Sequence, residues 1–382
     1  MIPYGRQSIS IDDITAVDDV LRSDFLTQGP VVPRFEATVA DYCGAAYGVA
    51  MNSATSALHI ACLALGVGPG DLVWTSPITF VASANCALHS GAEVDFVDID
   101  PVSYNMSVKA LRVKLQAART AGRLPKVVIP VHLTGQSCDM AEIGALAKEY
   151  EFKVIEDASH AIGGAYNDRP IGSCNHSDIT VFSFHPVKIV TTGEGGLAAT
   201  QDKTLADRLM LLRSHGITRD ESLMTEISHG PWYYQQIDLG FNYRMTEMQA
   251  ALGVSQMTRL DAFVARRHAI ADIYDARLAD LPLATPTRLP ARRSALHLYV
   301  IQLDDPARHR AAFEVLRAAG ILVNLHYIPI HLQPWYRARG FSPGDFPNAE
   351  NYYTRAISLP MFPELTDSQI DKVVETLTQA LI

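Results

Sequence analysis

Through the first two thirds of the chain, short apolar runs alternate with longer segments whose apolar residues recur at helical spacing. The runs at 47–51, 72–74, 93–97, 127–131, 153–156, 179–182 and 196–199 are short enough, and mostly rich enough in Val, Ile and other apolar residues, to predict buried strands. Between them, 56–65, 82–90, 107–121, 140–150 and 203–214 have the length and spacing of helices. Strands joined by crossovers of this length predict an α/β domain, a parallel or mixed sheet covered by helices. From 246 the texture changes: Met248, Leu252, Val254, Met257 and Leu260 predict one long helix running to about 278. A Pro-rich joint at 281–290 follows. Strands near 298–302 and 322–325, with helices near 308–319 and 367–381, predict a smaller α+β unit. The expected division is a large domain over 1–250, including an N-terminal segment, and a linker helix with a small C-terminal domain over 251–382.

Composition narrows the class. Of 382 residues 48% are apolar and 19% charged, the balance of a chain that buries a large core; disorder is excluded for most of the length. Lys and Arg total 32 against 41 acidic residues, a formal charge of -9, and no basic run occurs, so a nucleic-acid groove is not expected. The opening Met1-Ile2-Pro3-Tyr4-Gly5-Arg6 lacks a charged region followed by an apolar one, and no apolar stretch reaches the ~18 to 20 residues that cross a bilayer. Cys43, Cys62, Cys86, Cys138 and Cys174 are dispersed without a CxxC, which reads as buried thiols in a reducing compartment. The histidines form no HExxH, and no metal is expected. These features predict a soluble, cytoplasmic protein that neither enters a membrane nor binds nucleic acid.

Four segments carry candidate chemistry. Gly66-Val67-Gly68-Pro69-Gly70 lacks GxGxxG spacing and ends a helix instead of opening one, so it does not fit a dinucleotide fingerprint. Asn52-Ser53-Ala54-Thr55-Ser56-Ala57 lies between a strand and a helix, where free N–H groups, hydroxyls and the helix dipole suit a phosphate; a plain Ser or Thr cap fits the same pattern. Lys188 is one of only eight lysines and is flanked by apolar residues in Ser183-Phe184-His185-Pro186-Val187-Lys188-Ile189-Val190. Burial disfavours an ammonium, and a neutral amine can attack an aldehyde, as a Schiff-base lysine does; a lysine snorkelling from a strand end is the commoner alternative. Asp157 follows an apolar strand, placed either at the ligand crevice of an α/β sheet or as a helix cap. Together these make an anion site, a strand-end carboxylate and an amine 31 residues later, the three groups that pyridoxal 5'-phosphate (PLP) requires.

The ordered set Thr27-Gln28-Gly29-Pro30 with Phe35-Glu36, Asn52 through Leu58, Thr79-Phe80, Glu156-Asp157-Ala158-Ser159-His160, Ser183-Phe184-His185 with Lys188, and Gly240-Phe241-Asn242-Tyr243-Arg244-Met245 resembles the DegT/DnrJ/EryC1/StrS family of sugar aminotransferases. The resemblance spans nearly the whole chain and implies the fold type I, aspartate aminotransferase-like architecture. It implies that Lys188 carries PLP and then moves the proton, that Asp157 pairs with the pyridine nitrogen, and that Ala54, Thr55, Ser56 and Ser183 hold the phosphate. It further implies a homodimer with shared active sites, in which Asn242 reaches the phosphate from a second subunit. Phe80, where some relatives have Trp or Tyr, would stack on the ring or else pack in the core. His160, where many relatives have Gln, would approach the cofactor O3'. Tyr4, Thr27, His326 and Tyr327 would line a nucleotide-sugar pocket.

Within the family, residues 2–7 and 26–29 are most similar to the C4 aminotransferases of pseudaminic acid synthesis. That similarity implies a UDP-linked 4-keto-6-deoxy-N-acetylhexosamine as acceptor and L-glutamate as donor. Relatives acting at C3 or C4 of other UDP-, dTDP- or GDP-linked keto sugars stay open. A related sugar dehydratase has histidine in place of the lysine, against which Lys188 argues. A non-catalytic regulator would append a basic helix-turn-helix domain, for which this acidic chain has no room.

Overall fold

In the computed structural model, which describes residues 1–381, seven strands form one sheet: β1 (Tyr47–Met51), β2 (Leu72–Thr75), β3 (Glu93–Phe96), β4 (Val127–Ile129), β5 (Lys153–Asp157), β6 (Ile179–Ser183) and β7 (Gly196–Thr200). Their order is β1-β7-β6-β5-β4-β2-β3. Only β7 runs antiparallel to its neighbours; the other pairings are parallel. Every residue of β6 and β7 is buried, as helices covering both faces of such a sheet demand. β4 ends at Ile129 because Pro130 follows and has no N–H for the ladder; the chain then leaves through Val131, which bridges Asp157.

The helices divide between the two faces. On one lie α3 (Ala54–Ala64), α4 (Ala82–His89) and α7 (Lys203–Arg213), packed on Met51, Ile155, Val181 and Ala198. On the other, α5 (Val108–Thr120) and α6 (Met140–Tyr150) cover Trp74, Val128 and Val154. Beside them, α2 (Val31–Cys43), α8 (Glu247–Met257) and α9 (Leu260–Leu278) cover Ala50, Phe182 and Leu197. The N-terminal α1 (Ile11–Leu21), which the apolar pattern did not predict, starts at a capping box between Ser10 and Asp13 and packs on α8.

The helix expected over 246–278 is two helices, α8 and α9, broken at Thr258–Arg259. No Gly or Pro marks that break, so the apolar spacing runs through it. The C-terminal part has its own core, in which α10 (His309–Ala318) and α11 (Asp367–Leu381) pack on β8 (Tyr299–Leu303) and β9 (Ala356–Leu359). The strand expected over 322–325 is only Ile321–Leu322, because its partner is the equally short Ile2–Pro3. That pairing seats the N-terminus on the C-terminal core and delivers Tyr4 to the large sheet. All five cysteines are buried and unpaired. Among the described residues no helix is long and apolar enough to cross a membrane.

Candidate active site

The loops leaving the C-terminal ends of β1, β2, β5 and β6 converge, as ligand sites of open α/β sheets do. They enclose a cavity of about 760 Å³. It brings together Tyr4, Ala54, Thr55, Ser56, Phe80 and Asp157 with His160, Ser183, Lys188, His326 and Tyr327. Thr27 and Asn242 do not line it. Thr27 is exposed between α1 and α2, and Asn242 is exposed beside the mouth, where its carbonyl accepts from Asn52 Nδ2 at 3.4 Å.

The anion cradle is the first turn of α3, which starts two residues earlier than the apolar spacing predicts. Ser53 caps it, its Oγ accepting from Ser56 N–H at 3.1 Å, while Ser56 Oγ donates to Asn52 Oδ1 at 2.7 Å. The N–H groups of Ala54 and Thr55, the first two helical residues, have no acceptor in the helix itself and open on the cavity with the helix dipole behind them. β7 closes the cradle from behind at Gly196, where a Cβ would stand 2.4 Å from Ala54 N. Only glycine permits that approach.

Lys188 sits half-buried on the loop between β6 and β7, with Ile189 and Val190 buried beside it. The loop is pinned where Phe184 N–H donates to Gly195 O and Thr192 N–H to Phe184 O, both at 2.9 Å. Burial pushes the Lys188 pKa down to about 8, although the carboxylates of Asp157 and Glu194 pull the other way. Asp157, at the tip of β5, accepts from Ser83 Oγ at 2.6 Å on one oxygen. On the other it accepts from Ser159 Oγ at 2.6 Å and Ser159 N–H at 3.1 Å. Neither serine stood out in sequence, although an Asp followed two residues later by Ser is the pattern of an Asx turn.

Phe80 is 59% exposed and so is not a core residue; its ring lies 6.2 Å from that of Tyr327 at the cavity wall. His160 is buried, with Nε2 3.2 Å from the Tyr327 hydroxyl and Nδ1 without a partner. Burial, then the charges of Lys188 and His326, hold its pKa well below the ordinary range, so the imidazole is neutral at pH 7. His326 is pushed down to about 3 by burial and by Lys188, and its Nδ1 lies 2.8 Å from Ser358 Oγ.

A phosphate cradle, an open carboxylate and a poised amine fit PLP in chemistry and in placement around one cavity. Residues 7–378 match the DegT/DnrJ/EryC1/StrS aminotransferase family. The chain belongs to this family. It is 41% identical to the spore coat polysaccharide biosynthesis protein SpsC of Bacillus subtilis, over 98% of this chain and 96% of that one. It is 35% identical to a UDP-4-amino-4,6-dideoxy-N-acetyl-beta-L-altrosamine transaminase of Campylobacter jejuni, over 100% of this chain and 98% of the relative. Among solved structures it superposes on the PLP form of the sugar aminotransferase Spr1654 of Streptococcus pneumoniae with a TM-score of 0.90, at 30% identity, covering 99% of this chain and 98% of that one. This family member is a PLP-dependent sugar aminotransferase with the fold type I architecture.

Proposed function

We propose that the enzyme transfers the amino group of L-glutamate to C4 of UDP-2-acetamido-2,6-dideoxy-β-L-arabino-hexos-4-ulose. The product is UDP-4-amino-4,6-dideoxy-N-acetyl-β-L-altrosamine, an intermediate of pseudaminic acid synthesis. The observation that carries this reading is one cavity, large enough at about 760 Å³ for a cofactor and a sugar, in a chain that matches the Campylobacter transaminase from end to end. The higher identity to SpsC favours a second reading, another nucleotide-linked keto sugar.

When bound, PLP supplies an aldehyde for the Lys188 amine and a ring that draws electron density from the reacting carbon. The chain does the rest. Ala54 and Thr55 N–H, with the hydroxyls of Thr55, Ser56 and Ser183, hold the phosphate. Asp157 keeps the ring nitrogen protonated, an opposite charge in hydrogen-bond reach favouring the cation. Phe80 covers the ring and neutral His160 approaches its O3'. Lys188 Nζ, once released, takes the proton from the glutamate Cα and later returns one to the sugar carbon, a role for which a lowered pKa suits it. Tyr4, His326 and Tyr327, which line the cavity, contact the nucleotide sugar, whereas Thr27 lies outside it.

Asn242 completes the phosphate site of a second copy in a cytoplasmic homodimer. Phe25, Leu26, Trp232 and Leu239 expose apolar side chains that such an interface would cover. Incubation with glutamate and defined UDP-, dTDP- and GDP-keto sugars, read by mass, tests the substrate. Amination of the UDP sugar is expected, and turnover confined to another sugar selects the second reading. Lys188→Ala is expected to abolish turnover. A fully active monomer in sedimentation sinks the shared site.

A further inference from the structure

Asp157 is held by more than its own loop. Ser83, in the first turn of α4 and fully buried, reaches across from the neighbouring element to Asp157 Oδ2 at 2.6 Å. Thr79 Oγ1, also buried, lies 2.7 Å from Ser83 Oγ. An ionised carboxylate only accepts, so the single hydroxyl proton of Ser83 goes to Asp157. Thr79 must then donate to Ser83, and the direction of the chain is fixed: Thr79 to Ser83 to Asp157. With Ser159 giving a hydroxyl and an N–H to the other oxygen, three of the roughly four acceptor sites of the carboxylate are taken.

We infer that Ser83, itself oriented by Thr79, is a positioning residue that turns the Asp157 carboxylate so that one acceptor site stays open to the cavity for the ring N–H of the cofactor. The inference rests on the reading of Asp157 as the partner of the ring nitrogen and adds what aims it. Thr79 precedes Phe80, so the loop that carries the ring-covering side chain also carries the donor that orients the carboxylate on the far side of the site. Without the Ser83 hydroxyl Oδ2 has no donor left, the Thr79 hydroxyl loses its acceptor, and the carboxylate, held on Oδ1 alone, can rotate away from the ring.

The test uses holoenzyme reconstituted with PLP carrying 15N at the ring nitrogen, which reports the protonation of that atom directly. Ser83→Ala is expected to move the signal toward the unprotonated form. It should lower kcat about 10- to 100-fold, the range of one hydrogen bond to a charged group, with the glutamate KM changed less than about twofold. Thr79→Val is expected to move the signal the same way but less. Asp157→Asn separates the two claims. If it leaves the signal unmoved, the reading of Asp157 fails and the inference with it. If it moves the signal while Ser83→Ala does not, Asp157 keeps its role and the relay is overturned. Should Ser83→Ala not fold, Thr79→Val decides alone: a moved signal supports the relay, and an unmoved one removes it.

Discussion

Glu156 and Asp157 are consecutive residues of β5, almost equally buried at 6% and 5% exposure, and they point to opposite faces of the sheet. Glu156 takes three bonds: it lies 2.7 Å from His132 Nε2, and its other oxygen accepts from Ser177 Oγ and from Thr180 Oγ1 at 3.1 Å. The Cys138 N–H donates to His132 Nδ1 at 3.1 Å, which assigns the ring proton to Nε2 and makes His132 a donor to the carboxylate. Asp157 also takes three bonds, but it faces the cavity that holds Lys188. A buried carboxylate bonded to fixed neighbours away from the reacting amine is a brace; one that faces the cavity holding that amine can take part in chemistry. Neither burial nor the number of hydrogen bonds separates the two residues; the side of the sheet each one faces does.

Removing the brace should have the largest effect. Glu156→Ala takes the acceptor from buried His132 and Thr180 and half-buried Ser177 and should cost about 3–5 kcal/mol of stability, read as a lower denaturation midpoint, while turnover of the folded protein changes less than about twofold. Burial alone would raise the Glu156 pKa, but the bonds from His132, Ser177 and Thr180 hold it below its ordinary 4.5. A folded-state value below the unfolded one means the stabilisation is present above about pH 4.5 and is lost as pH falls through the folded value. The variant should therefore lack this part of the acid loss. A variant as stable as the parent breaks the comparison.

Asp157→Asn is the mirror case. We expect turnover to fall by ~10² or more, on the scale of other lost charge-stabilising groups, while stability changes far less than in Glu156→Ala, because the amide oxygen still accepts from Ser159 and the amide NH2 can donate to the Ser83 hydroxyl. Steady-state kinetics beside a denaturant melt reads both. Unchanged turnover removes Asp157 from the chemistry.

These two residues also show where sequence stops being legible. The strand and the acidic pair could be read from Val154-Ile155-Glu156-Asp157 alone, and strand alternation puts neighbours on opposite faces. Which of them faced the cavity followed from motif resemblance, because the deciding partners are distant in sequence: Ser83 lies 74 positions from Asp157 and His132 24 from Glu156. The lysine stood out because its apolar flanks are local. The α3 cradle was legible for the same reason, its cap and first turn being contiguous. Tertiary encounters gave no local signal: the pairing of Ile2–Pro3 with Ile321–Leu322, the Tyr327 hydroxyl beside His160, and the carbonyls of Leu296, His297 and Met361 that take Arg267 Nη1 in the interior. The break between α8 and α9 was missed because Thr258 and Arg259 are not breakers.

The last expected effect is the smallest and concerns the amine that shares the cavity with Asp157. With the Lys188 pKa pushed down to about 8, the neutral amine is a minor species at pH 7 and the major one at pH 9. The rate at which cofactor-free protein takes up PLP, followed by absorbance in stopped flow, should rise roughly tenfold over that interval and level off above it. A lysine with the ordinary value near 10.4 gives instead a rise of about a hundredfold with no plateau. Glu194 sharpens the test: its charge favours the ammonium, so Glu194→Gln should move the midpoint to lower pH. A midpoint that stays near 10 places the lysine in water and removes burial as the source of its reactivity.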